Sequence, residues 1–325
     1  MRTMQGLPCP MLSRRALLRR AATGFGMVAA HALLGAGSAT VTPSPSHARG
    51  RARNVIFLYM EGGVSQVDSF DHKPMLARHH GKNPREVMGK LEKTQFESIG
   101  TVFKSPWEFR QRGESGLWVS DLFPHIAQCA DELCVVRSMT SAFPEHTSAN
   151  YFLHSGLGLQ GRPSMGAWVA YGLGSENLDM PGYVVLNGGQ IPSGGMDCFG
   201  NGFLPATCQA SMLHAHGGTP LANIAPRESV PGVQDAKRRL ALRLDRMAMA
   251  AEGADAALEG ALAHTELASR MQASVPDLLE LKGEGDATRR LYGLDSSNPH
   301  TRTFARQCLL ARRLVERGVR FVELT

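Results

Sequence analysis

Asn54-Val55-Ile56-Phe57-Leu58-Tyr59-Met60 is a short, mostly apolar run of β-favouring residues, bounded by Arg53 on one side and by a Glu61-Gly62-Gly63 turn on the other. A run of that length, punctuated at both ends, is the pattern of a central strand buried on both faces of a parallel sheet. Residues 133–139 and 182–186 repeat it. Between these runs, residues 119–130 and 164–174 carry apolar side chains at helical spacing, and Pro163 suits the first turn of the second helix. Strands alternating with helices predict an α/β fold with a mainly parallel sheet flanked by helices.

Working outward, residues 187–226 are rich in Gly, Pro and Ser and include His214 and His216. They read as a long surface excursion, a feature that compact domains usually reserve for function or disorder. Residues 233–253 and 256–274 follow as two Ala- and Leu-rich helices, expected to form a helical hairpin insertion whose Leu240, Leu244 and Met247 stripe packs in the core. Residues 302–317 form a strong amphipathic pattern, Gly318 suits the C-cap, and residues 319–324 read as a strand. Thr325 follows directly, so the domain over 49–325 is read as C-terminally incomplete.

Upstream, Ser13-Arg14-Arg15-Ala16-Leu17-Leu18-Arg19 and the weakly apolar residues 21–39 form a twin-arginine signal pattern. Cleavage is expected after Ala48, with Ala39 the alternative, so residues 1–48 are leader and linker. A membrane anchor left in place is disfavoured, because the apolar stretch is short and rich in Gly and Ala. The expected location is periplasmic or otherwise exported, with the twin-arginine translocase as a partner during export and no stable membrane span after cleavage.

The leader also decides the charge. Residues 1–50 hold six Arg, no Lys and no acid; removing them from the 35 Lys and Arg leaves 29, against 29 Asp and Glu. The basic sequence pI of 9.1 therefore belongs to the leader, and it does not imply a nucleic-acid partner. Five cysteines remain beyond Cys9, with no Cys-x-x-Cys pair; Cys198 and Cys208 stand close enough in sequence to pair, and buried idle thiols are the alternative.

Three stretches resemble the DUF1501 family: Tyr59-Met60-Glu61-Gly62-Gly63-Val64-Ser65-Gln66-Val67-Asp68-Ser69-Phe70-Asp71-His72-Lys73-Pro74, then Gly116-Leu117-Trp118-Val119-Ser120-Asp121-Leu122-Phe123-Pro124-His125, then Gly161-Arg162-Pro163-Ser164-Met165-Gly166. The resemblance covers everything after the leader. It implies an alkaline phosphatase-like fold of the phosphatase/sulfatase-like superfamily, without a defined activity.

In that superfamily a metal-held hydroxyl attacks a phosphate or sulfate ester, and divalent cations neutralise the transferred group. The resemblance places a metal-holding carboxylate at Glu61, just past the first strand, with Asp68 and Asp71 as further candidates. It places the nucleophile within residues 138–150, where Thr147 and Ser148 are the available hydroxyls and His146 suits a base or a metal ligand. The expected site is thus Thr147, Ser148 and His146 for chemistry, and Glu61, Asp68 and His146 for a divalent metal. The plainer alternative makes these residues turn carboxylates and helix caps. Gly156-Leu157-Gly158-Leu159-Gln160-Gly161 matches a dinucleotide fingerprint, but it follows a helical segment instead of a strand, so no nucleotide cofactor is expected. Two functions follow: metal-dependent hydrolysis of sulfate or phosphate esters, or non-catalytic binding of an envelope partner or a sulfated or phosphorylated polysaccharide.

Overall fold

A computed structural model describes residues 52–325 except 92–97, 178, 216–229, 231 and 253–255. The leader, both cleavage positions and residues 216–226 of the Gly-rich excursion lie outside the described residues. In chain order the elements are β1 (Val55–Leu58), α1 (Gln66–Ser69), α2 (Pro74–Arg78), α3 (Pro84–Met88), β2 (Phe109–Arg112), β3 (Leu117–Ser120), α4 (His146–Ser155), α5 (Met165–Leu173), β4 (Tyr183–Asn187), β5 (Ser211–His214), α6 (Val233–Glu252), α7 (Ala256–Leu279), α8 (Asp286–Tyr292), α9 (Pro299–Glu316) and β6 (Phe321–Leu324). The described residues form two compact units: one of residues 52–59 with Asn150–Thr325, the other of Met60–Ala149.

The first unit is the α/β layer structure. Its sheet runs β1-β6-β4-β5 with every neighbour parallel, and β6 threads between β1 and β4 so that Val55 and Tyr183 both pair with Phe321. Strand alternation then separates two cores. Val184, Leu186, Leu213, Val322 and Leu324 face one way, against Met271, Val275 and Leu278 of α7 and Leu310 and Leu314 of α9. Tyr183, Val185 and Phe321 face the other way, against Phe199 and, from α5, Met165 and Val169.

The helices that cover the sheet begin where their capping residues dictate. Asn298 caps α9 by accepting from the backbone N–H groups of His300 and Thr301, and Pro299 fills the first position, where no N–H is needed. Ser164 accepts from Ala167 N–H at the start of α5. On the outer side of α9, Arg312 and Arg313 converge on Glu284 at 3.0 and 2.7 Å.

Several expectations change here. β4 and β6, not β1, are the strands buried along their whole length. β1 is an edge with β6 as its neighbour, and Ile56 and Leu58 stay 42% and 48% exposed. Composition alone cannot separate an apolar edge strand from a central one, because both carry the same residue types. The hairpin of α6 and α7 is present, with Gln234 donating to Gln272 and Arg246 paired with Glu266. Yet Leu240, Leu244 and Met247 lie on its exposed side, not in the core. Cys198 and Cys208 are both buried and outside any disulfide, in separate apolar clusters. Among the described residues no helix is long and apolar enough to cross a membrane.

The second unit is built on the antiparallel pair β2 and β3, in register from Phe109 opposite Ser120 to Arg112 opposite Leu117. The connecting turn is tied to a 3-10 segment at Ile126–Glu132: Asp131 accepts from Ser115 N–H at 2.8 Å and Glu114 N–H at 3.0 Å. Those amides, Ser115 first, hold the Asp131 carboxyl below its ordinary range. Gly113 adopts φ +65°, and a Cβ there would strike the Asp131 carboxylate. His72 stacks on Phe109 with ring centroids 4.8 Å apart and tilts against Trp118 at 4.6 Å. Residues 119–130 therefore split into the end of a strand and a 3-10 turn instead of one helix. Residues 133–139 form no strand, and Leu133, Val136 and Met139 are exposed, so burial does not hold that run extended.

Candidate functional site

The candidate residues named from the sequence all fall in the second unit. Glu61 occupies an exposed turn after β1, closed by Gly63 N–H donating to Met60 O at 3.0 Å, with Gly62 and Gly63 both at positive φ. Asp68 lies in the short helix α1, where its main-chain oxygen accepts from the Ser120 hydroxyl at 2.6 Å. Asp71 is nearly buried and pairs with Lys73 at 2.8 Å. His146 opens α4 and is exposed.

Thr147 and Ser148 sit in the first turn of α4, as a helix start at this position requires. The residue that holds that turn is Glu145. Its carboxylate accepts from Thr147 N–H at 2.9 Å and from Ser148 N–H in a shorter contact, and both hydroxyls add hydrogen bonds to it. A carboxylate on two amides at a positive helix end is strongly stabilised in its ionised form. The Glu145 carboxyl is accordingly held below its ordinary range, chiefly by the Ser148 amide.

That arrangement bears on chemistry in two ways. The free amides of a helix start are an anion seat, and here the protein's own carboxylate fills it. A hydroxyl hydrogen-bonded to a carboxylate is also the first half of a nucleophile and base pair. A base works best with a pKa near the working pH, however, and Glu145 is shifted away from it. The capping role fits the geometry better.

Among the described residues no three His, Cys, Asp or Glu side chains stand together as metal ligands, and Glu61, Asp68 and His146 form no such group. His154 lies in the first unit and is engaged elsewhere, in a buried contact with Glu323 at 2.7 Å. His214 ends β5 on the exposed side. The glycine run 156–161 joins α4 to α5, so a helix, not a strand, precedes it.

Two features escaped the sequence reading. Glu145 carried a local signal, an acid immediately before a Thr-Ser helix start. The Glu323 network carried a weaker one, a single acid inside the otherwise apolar Phe321-Val322-Glu323-Leu324.

The cap has a measurable consequence. Its folded pKa is depressed, so its contribution is complete above the unfolded value and is lost as pH falls through the folded one. In an acid titration followed by NMR, the Thr147 and Ser148 amide signals are expected to move together, with a midpoint below that of an ordinary glutamate. Glu145→Gln should remove this movement. A midpoint at the ordinary glutamate value would mean that the carboxylate does not sit on these amides.

Compared with known proteins, residues 52–325 match a family model described as "Protein of unknown function (DUF1501)". No curated protein and no solved structure matches the chain.

Proposed function

The chain belongs to the DUF1501 family of proteins of unknown function, and from that premise we propose that it is an exported, non-catalytic binding protein. It keeps the α/β scaffold of the alkaline phosphatase/sulfatase-like superfamily and engages an envelope partner or a sulfated or phosphorylated polysaccharide. Export rests on the Ser13–Arg19 twin-arginine pattern, which would deliver the protein to the periplasm. The carrying observation is Glu145: where the superfamily resemblance places a nucleophile in an anion seat, this chain seats its own carboxylate. Trp107 and Phe103 in the same unit are exposed, and such rings suit contact with the apolar faces of sugars.

A second reading keeps one observation in its favour. The Thr147 and Ser148 hydroxyls already touch a carboxylate at a helix start, so metal-dependent hydrolysis of sulfate or phosphate esters would have a hydroxyl available there. In that case the resemblance makes Glu61, Asp68 and His146 the residues to hold the cation, and binding would have to draw them together.

Elemental analysis of the full chain, beside Glu61→Ala and His146→Ala variants, separates the two readings when combined with aryl sulfate and aryl phosphate turnover. The binding reading expects no stoichiometric divalent metal and no turnover, together with retention on a sulfated or phosphorylated polysaccharide matrix. A metal present in wild type, lost in both variants and accompanied by turnover, would replace it with the hydrolase reading.

A further inference from the structure

His154 stands on the last turn of α4, with Nδ1 2.8 Å from the carbonyl oxygen of Asn150 and Nε2 2.7 Å from Oε1 of Glu323. A carbonyl oxygen only accepts, so Nδ1 carries a hydrogen. The second nitrogen meets a carboxyl oxygen, so one further proton lies between Nε2 and Oε1. Placed on Oε1, it makes two neutral groups; placed on Nε2, it makes an imidazolium and a carboxylate. The Tyr183 hydroxyl donates to the other oxygen, Oε2, at 2.7 Å; Oε2 accepts in either arrangement, but the bond is stronger to an ionised carboxylate, which favours the second. With the proton on Nε2, both oxygens accept, one from each partner. Burial first, and then the Glu323 charge, push the Tyr183 hydroxyl well above its ordinary pKa, so it keeps the hydrogen that it donates.

We infer that His154 and Glu323 form a buried imidazolium–carboxylate pair, a charged lock that ties the second half of α4 to β6 and makes the stability of this unit pH-dependent. The pair is shut away from water, with His154 2% and Glu323 1% exposed. Three rings surround the imidazole, those of Phe57, Tyr59 and Phe199, at centroid distances of 6.2, 5.0 and 5.5 Å. Among the described residues, the titratable groups beside the lock include Tyr183 on β4, Tyr59 just past β1, and Cys198 in the 3-10 turn Gly195–Phe199. Asp197, in the same turn, acts on Tyr151. Tyr59 extends the lock to a third strand, donating its hydroxyl hydrogen to the Asn150 side chain at 2.7 Å.

The sign of the pH effect follows from the proton. A histidine that holds its proton more tightly when folded contributes fully below its unfolded pKa of about 6.5 and loses that contribution as pH rises through the folded value. Glu323→Gln is the informative variant. Its amide can donate to a bare Nε2 while its oxygen accepts from Tyr183, giving a neutral network of the same shape.

Ring-nitrogen NMR of the full chain tests the lock, with His154→Gln identifying the His154 signals. Wild type at neutral pH is expected to show both His154 nitrogens protonated, with no titration near about pH 6.5. Its urea midpoint should fall between about pH 6 and about pH 9, and Glu323→Gln should flatten that fall and show one bare nitrogen on His154. One bare nitrogen in wild type at neutral pH would overturn the inference, as would an identical fall in Glu323→Gln.

Discussion

Truncating Glu323 to Ala is expected to lower the free energy of unfolding by about 3–5 kcal/mol, the range for breaking a buried charge pair by removing one member. The loss is large because of what stays behind. His154 Nε2 and the Tyr183 hydroxyl both direct hydrogens at the two carboxylate oxygens, His154 among the rings of Phe57 and Phe199 and Tyr183 among Phe199 and Phe321. Without the carboxylate, two buried donors lose their acceptor, and one of them belongs to an uncompensated cation. Against a typical total of about 5–15 kcal/mol, a loss of this size removes much of the stability. Urea unfolding of wild type, Glu323→Ala and Glu323→Gln measures it. The neutral Gln variant should retain most of what Ala loses. A Glu323→Ala protein within about 1 kcal/mol of wild type, the size of one ordinary hydrogen bond, would show that the network does not form.

The two units differ in how far local pattern foretells them. β4 and β6 follow from short apolar runs closed by turn signals, and α9 from its apolar stripe over residues 302–317 closed by Gly318, because in each case one segment carries the whole signal. The β2 and β3 hairpin was visible in principle, since Gly113-Glu114-Ser115-Gly116 separates two short β-favouring runs. Helical spacing in the overlapping residues 119–130 masked it. The order of strands was not foretold. Pairing of Val55 with Phe321 joins the two ends of the described chain, and no local pattern encodes such a contact.

The candidate site divides in the same manner. A helix start at His146-Thr147-Ser148 is a local feature, and the structure begins α4 at that residue. Partnership is not local: His154 meets Glu323 across 169 positions, and Tyr183 meets it across 140. The sequence shows only an acid inside an apolar run, and an acid buried there requires partners without naming them. Leu240, Leu244 and Met247 err in the other direction, since an apolar stripe shows which residues share a helix face and not whether that face is covered.

Gly166→Ala carries the second large effect, and its sign is the informative part. Gly166 lies in α5, so on helix propensity alone Ala should stabilise by about 1 kcal/mol. A Cβ at this position would stand 2.5 Å from Cε2 and Cζ of the Tyr183 ring. That ring cannot easily retreat: it is buried, it packs edge-on against Phe321 with centroids 5.3 Å apart, and its hydroxyl is held by Glu323. Overpacking a rigid core costs about 1–3 kcal/mol and occasionally more, so the clash should outweigh the propensity gain and lower the thermal midpoint. Tyr183→Ala would be destabilising alone through the cavity it leaves, but it removes the atoms that the added methyl group strikes. The double variant should therefore be more stable than the two single losses predict, by a coupling of about 0.5–3 kcal/mol. If Gly166→Ala instead raised the midpoint, or if the two losses simply added, the Tyr183 ring would not be resting on α5, and the placement of the Glu323 network beneath it would fail with it.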